Sequence, residues 1–150
     1  MSERLLVAVF ASPVADVLRR WAPELGFRVQ VLDPDPGRGA DITGFAEVDG
    51  ELDDADVVVT DHHRAELGDV LRDALARDVR WIGVMGNPRH EGPHVAALRA
   101  LGVADDDIAR VHRPIGLDIG SKAPAEIAVS TLAGLLADRN GRPGGFTHAV

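Results

Sequence analysis

The sequence predicts an α/β fold built on a doubly wound, mostly parallel sheet. Three observations predict it. Apolar runs of strand length alternate along the chain with helical segments marked by caps or by an apolar stripe. The runs RLLVAVF, DVVVT and VRWIGV are almost continuously apolar, as strands covered on both faces are. Each is followed by a turn carrying polar residues, glycine or proline, where a strand gives way to a helix.

Arg4–Phe10 reads as the first strand, and Ser12 and Pro13 supply an N-cap and a first helical position. The helix they open is expected to run to about Trp21, with Gly26 beyond it. Phe27–Leu32 is the second strand. Asp33–Gly50 is rich in Asp, Pro and Gly and reads as a long connection, with at most a short edge element. Asp56–Thr60 is the third strand. In the helix that follows, Leu67, Val70, Leu71, Ala74 and Leu75 fall at i, i+3, i+4, i+7 and i+8, one apolar stripe. Val79–Val84 is the fourth strand and Met85–His90 the turn after it. A helix over Gly92–Leu101 is expected to stop at Gly102. Asp105–Arg110 then reads as a short helix, Arg110–His112 as a short fifth strand, and Pro124 as the start of a last helix to about Asp138. The result is a Rossmann-like sheet of about five or six strands with helices on both faces. It forms one domain over residues 1–139, followed by a flexible tail over 140–150.

Composition narrows the function. A net charge of −8 excludes a general nucleic-acid binder, which needs basic patches to neutralise phosphates. No apolar run approaches the roughly 20 residues needed to span a bilayer, and the first residues read as a strand rather than a signal peptide. There is no cysteine, so no disulfide, thiolate metal site or cysteine nucleophile exists, which suits a cytoplasmic location. The acidic clusters Glu51–Asp56 and Asp105–Asp107 read as solvated surface.

Ligands of an open parallel sheet bind beyond the carboxyl ends of its strands. Five turns converge on that rim, and they define the candidate ligand contacts. In the first, Ser12 stands where a dinucleotide site would have glycines; the turn Phe10-Ala11-Ser12-Pro13 has none. Asp33 ends the second strand, where an acid can hold a ribose, although it also opens the turn Asp-Pro-Asp-Pro-Gly. Thr60, Asp61 and His62 belong to the polar run TDHH, which reads either as an acid–base or cation-binding pair or as helix capping with packed and solvated histidines. Gly86 and Arg89 come from the turn MGNPRH, where Arg89 could pair with phosphate or carboxylate. Gly116, Asp118 and Gly120 lie in PIGLDIG, a glycine-bracketed loop with one acid, placed before a helix whose start is marked by Ser121, Pro124 and Glu126. His90 and His94 are expected to be solvent-exposed. No catalytic residue and no metal site is assigned.

These residues carry a family likeness. RPIGLDIGSKAPAEIAVSTLAGLL resembles the C-terminal signature of the XdhC/CoxI family, roughly PIGLDIGA-TP-EIA-SI-AE. WIGVMGNPR is similar to its YIG-LGS-R segment, and TDHHRAEL loosely to its THDH-LD segment. Pro114, Gly116, Asp118, Gly120, Pro124 and Glu126 match position by position. The resemblance implies the Rossmann domain of an accessory factor that matures molybdenum hydroxylases of the xanthine or carbon monoxide dehydrogenase type. It implies binding of molybdenum cofactor or a nucleotide, with the hydroxylase apoenzyme or other maturation factors as partners. The family's usual N-terminal XdhC domain is not in this sequence. Its Gly-Ala-Gly-His first turn has become Ala-Ser-Pro, and Thr-His-Asp-His has become Thr-Asp-His-His. The alternative reading is a small NAD(P)-binding oxidoreductase, and the third a metal-dependent phosphoesterase of the DHH type. A homodimer is the default assembly for an isolated domain of this kind.

Overall fold

The computed structural model describes residues 3–86 and 92–145. Strands β1 (Arg4–Val9), β2 (Phe27–Leu32), β3 (Ala55–Val59), β4 (Trp81–Val84) and β5 (Val111–His112) form one sheet in the order β2-β1-β3-β4-β5, with every pairing parallel. This is the doubly wound α/β arrangement that the alternation predicts, with its switch of direction between β1 and β3.

Because successive strand residues face opposite sides, β1 and β3 feed two separate cores. Leu5, Val7, Val9, Val57 and Val59 pack against helices α2 (Leu67–Leu75) and α3 (Pro93–Ala100), which contribute Leu67, Val70, Leu71, Ala74 and Leu98. Leu6, Ala8 and Val58 face the other way, against α1 (Pro13–Trp21) and α5 (Pro124–Arg139), through Val14, Leu18, Leu132 and Leu135. Burial on both faces is why these strands are apolar throughout, at about 1.5–3 kcal/mol for each large side chain removed from water. A short helix, α4 (Asp105–Ile108), precedes β5.

The β2–β3 connection contains three single 3₁₀ turns, Pro36–Arg38, Phe45–Glu47 and Leu52–Asp54. An isolated parallel bridge between Leu32 and Ile42 is its short edge element. Asp41 holds that edge, accepting from the Val31 amide at 2.8 Å and from Arg19 at 2.9 Å.

One acidic cluster departs from the sequence expectation. Asp56, in the run Glu51–Asp56, is fully buried rather than solvated. It lies at the amino end of β3, accepting from Arg80 Nε at 2.5 Å and from Arg139 Nε at 2.9 Å. Arg139 also donates to Asp54, and Arg80 to Asp138. The network ties the end of α5 to the sheet, at the edge opposite the ligand rim. Burial pushes the Asp56 carboxyl above its ordinary value, and the hydrogen bonds from Arg80 and Arg139 only partly oppose this.

Candidate functional site

The first turn is closed from within. Phe10 takes a left-handed backbone conformation, φ 74°, although it is fully buried and not glycine. That costs about 1–2 kcal/mol at a side-chain-bearing residue. The chain holds it there with a dense set of contacts. The Phe10 amide donates to Leu32 O at 2.7 Å, and the Arg64 guanidinium lies 4.4 Å from the centre of the Phe10 ring. Arg64 also grips Asp33 with two hydrogen bonds of 2.9 Å, while the amides of Ala11 and Asp35 donate to the same carboxylate at 3.0 and 2.9 Å. Burial alone would raise the Asp33 pKa; the hydrogen bonds from Arg64, Asp35 and Ala11 outweigh it and hold the carboxyl at about 2.

Ser12 and Thr60 stitch the switch point between β1 and β3. Their hydroxyl oxygens are 2.8 Å apart; Thr60 can donate to Val9 O at 2.9 Å, and Ser12 accepts from the Ala15 amide as N-cap of α1. One consistent proton order satisfies all three contacts, with Ser12 donating to Thr60 and Thr60 to Val9. Part of the donor set that a dinucleotide phosphate would use is therefore engaged. Ala11 serves Asp33, Ala15 serves Ser12, and Pro13 has none. Asp33 is completely covered, so the ribose contact considered for it is not available in this conformation.

The open space lies next to the switch point, over β3 and β4. A cleft of about 880 Å³ is bounded by Thr60, Asp61, His62 and His63, by Met85 and Gly86, and by the loop from Pro114 to Lys122, with Val14, Ile127 and Ser130 as its floor and side. It gathers Thr60, Asp61, His62, Gly86, Gly116, Asp118 and Gly120 from the candidate set. Ser12 and Asp33 lie outside its lining, and Arg89 falls outside the described residues.

The loop has its shape for physical reasons. Gly116 has φ 87°, and a Cβ there would sit 2.6 Å from Ser130 Oγ. With Gly116 against α5 at Gly134, Ser130 accepts from the Leu117 amide and donates to Leu117 O at 2.8 Å. Gly120 is also left-handed, at φ 64°. These contacts leave Asp118 exposed on the cleft wall, without an ion pair among the described residues. Asp61 takes the His63 amide at 2.8 Å in a local turn and does not cap α2, whose N-cap is Glu66. Ser121 likewise accepts from the Ala123 amide rather than capping α5. The His62 and His63 rings are 4.0 Å apart. Burial lowers the His62 pKa, and the neighbouring His63 and Arg113 push it the same way. His94 is 6% exposed, not solvated as expected, because its ring packs against Gly92 at the start of α3.

A model of the XdhC Rossmann domain matches residues 6–135. The chain belongs to this family. Over 90 residues, 60% of its length, the XdhC domain is 36% identical to the uncharacterized protein YqeB of Escherichia coli K12, covering 16% of that protein. Its fold is shared by the crystal structure of a xanthine dehydrogenase from Bacillus halodurans. There the TM-score is 0.73 at 23% identity, over 93% of this chain and 45% of that one. The XdhC domain thus spans less than half the length of either.

Several residues that shape the XdhC site carry no motif. Arg64 and Phe10 act through a conformation that the sequence does not announce. Ser130 and Gly134 do leave a trace, since small residues four apart on one helix face mark a place of close backbone approach.

Proposed function

We propose that the domain is a ligand-holding accessory module for the maturation of a molybdenum hydroxylase, taking molybdenum cofactor or a related phosphorylated pterin or nucleotide in the cleft beside the switch point. The observation that carries this reading is the pairing of a filled first turn with an open cleft lined by the family's signature loop. Family membership supports the molybdenum hydroxylase connection. The residues suit the organic part of the cofactor. Val14, Met85, Ile115 and Ile127 offer apolar surface to a flat ring, Asp118 can accept from ring N–H groups, and Lys122 offers a cation to a phosphate. With no cysteine, these 150 residues give the metal no thiolate. When bound, the cofactor supplies the redox chemistry of the client enzyme; this chain's residues hold and shield it. On this reading the protein acts in the cytoplasm, and the hydroxylase apoenzyme or another maturation factor is the receiving partner.

The first turn weighs against the oxidoreductase alternative, since it has no glycine, Pro13 has no amide donor, and the Ala11 and Ala15 amides are engaged by Asp33 and Ser12. Titration by calorimetry decides between them. Molybdenum cofactor is expected to bind, with Asp118→Ala weakening it about tenfold or more, the ratio for loss of a charge-assisted contact. NAD or NADP binding with turnover, and no cofactor binding, would overturn the reading.

A further inference from the structure

The loop from Gly116 to Gly120 is exposed along its whole length, and little hydrogen bonding ties it down. Among the described residues, both hydrogen bonds that 116–120 make end on one hydroxyl, that of Ser130 on α5. This hydroxyl accepts from the Leu117 amide at 2.5 Å and donates to Leu117 O at 2.8 Å. A serine inside a helix commonly points to solvent or bonds the carbonyl four residues back. Ser130 does neither: it is 6% exposed, and its proton goes to the loop. Glycines bring the two backbones close enough for this. A Cβ at Gly134 would lie 3.3 Å from Gly116 Cα, and one at Gly116 would lie 2.6 Å from the Ser130 hydroxyl. A further contact is apolar, where a Cβ at Gly144 would meet Ala137 Cβ at 3.2 Å and Leu117 Cδ2 at 3.3 Å.

We infer that Ser130 is a positioning residue of the cleft, setting ligand affinity by fixing where the Asp118 carboxylate stands. The inference rests on the reading of the cleft as the cofactor site and adds what holds its acidic wall in place. Tying both the N–H and the C=O of Leu117 to one atom fixes that residue's orientation against α5. The Leu117 carbonyl belongs to the peptide unit that carries Asp118, so the direction in which the chain enters Asp118 is fixed with it. The apolar contact at Gly144 has no preferred direction and cannot do this. A charged contact on an exposed loop is only as exact as the bonds that support the loop. Here those bonds both come from Ser130. A serine that served stability alone would act without regard to Asp118, whereas a positioning serine loses its effect on affinity once Asp118 is gone.

Calorimetric titration with molybdenum cofactor on wild type, Ser130→Ala, Asp118→Ala and the double variant is the test. Ser130→Ala should weaken binding about fivefold or more, the ratio for loss of a buried hydrogen bond. In the Asp118→Ala background the same change should matter less than about twofold. Gly134→Ala is a second route to the same end. Alanine suits a helix interior better than glycine, so its methyl displaces the loop without weakening α5. It should weaken binding in the wild-type background and not in Asp118→Ala, and it decides the matter if Ser130→Ala fails to fold. Unchanged affinity in the folded variant, or the same loss with and without Asp118, overturns the inference. If wild type binds the cofactor and Asp118→Ala weakens it in that case, the cleft reading stands without Ser130; if wild type binds no cofactor, both fall.

Discussion

Replacing Arg64 by alanine is expected to destabilise the domain by about 3–5 kcal/mol, the range for removing one partner from a buried ion pair. Asp33 is fully buried, and Arg64 retains only 12% side-chain exposure. The alanine variant leaves a carboxylate that must stay charged without its cation or take up a proton. It also uncovers the Phe10 ring, which helps hold the left-handed turn. At about 2–4 °C per kcal/mol for a domain of this size, the melting temperature should fall by roughly 10 °C. The double variant Asp33→Asn with Arg64→Met removes both charges and should lose much less. Acid should act on the same pair. With the folded pKa at about 2 against an ordinary 3.8, Asp33 contributes about 2 kcal/mol that is present above pH 4 and lost as pH falls toward 2. A melting temperature for Arg64→Ala within a degree or two of wild type would contradict this account of the first turn.

Asp56→Ala should have an effect of similar size at the opposite edge of the sheet. Arg80 and Arg139 share this one buried carboxylate, and Arg80 Nη2 is already buried without a hydrogen-bond partner among the described residues. Removing the anion leaves two guanidinium groups facing each other across the gap, with the end of α5 held only by Arg80–Asp138 and Arg139–Asp54. A loss of about 3–5 kcal/mol is expected by chemical denaturation. The pH dependence has the opposite sign to that of Asp33. A carboxyl raised by burial opposes folding as pH rises from its ordinary value to its folded one, so Asp56 does not share in the acid sensitivity. Wild-type stability in Asp56→Ala would show that Arg80 and Arg139 rest equally well on Asp54 and Asp138.

The strand runs and the α2 stripe were legible because burial on a repeating geometry leaves a repeating pattern. So was the signature loop, since Gly116 and Gly120 stand where a left-handed backbone or close contact with α5 requires them. What the sequence left hidden are one-off pairings across long separations. Nothing local tells that Arg64 reaches Asp33, 31 residues away, or that Arg139 reaches Asp56 across 83. Asp56 reads as one more surface acid for that reason, and Asp33 as either a ribose contact or the opening of a turn. Phe10 is hidden in another way, because a left-handed conformation normally announces itself as glycine and here is imposed by tertiary contacts. His94 looks exposed beside Gly92 and Pro93, yet it is Gly92's missing side chain that makes room for its ring.

The central claim is that ligand enters over β3 and β4 and not at the first turn. Amide hydrogen exchange with and without molybdenum cofactor tests it most directly. Protection is expected in residues 60–63, 85–86 and 114–122, with residues 10–15 and 33–35 unchanged. Protection of 10–15 together with 33–35, and none in 114–122, would contradict the account.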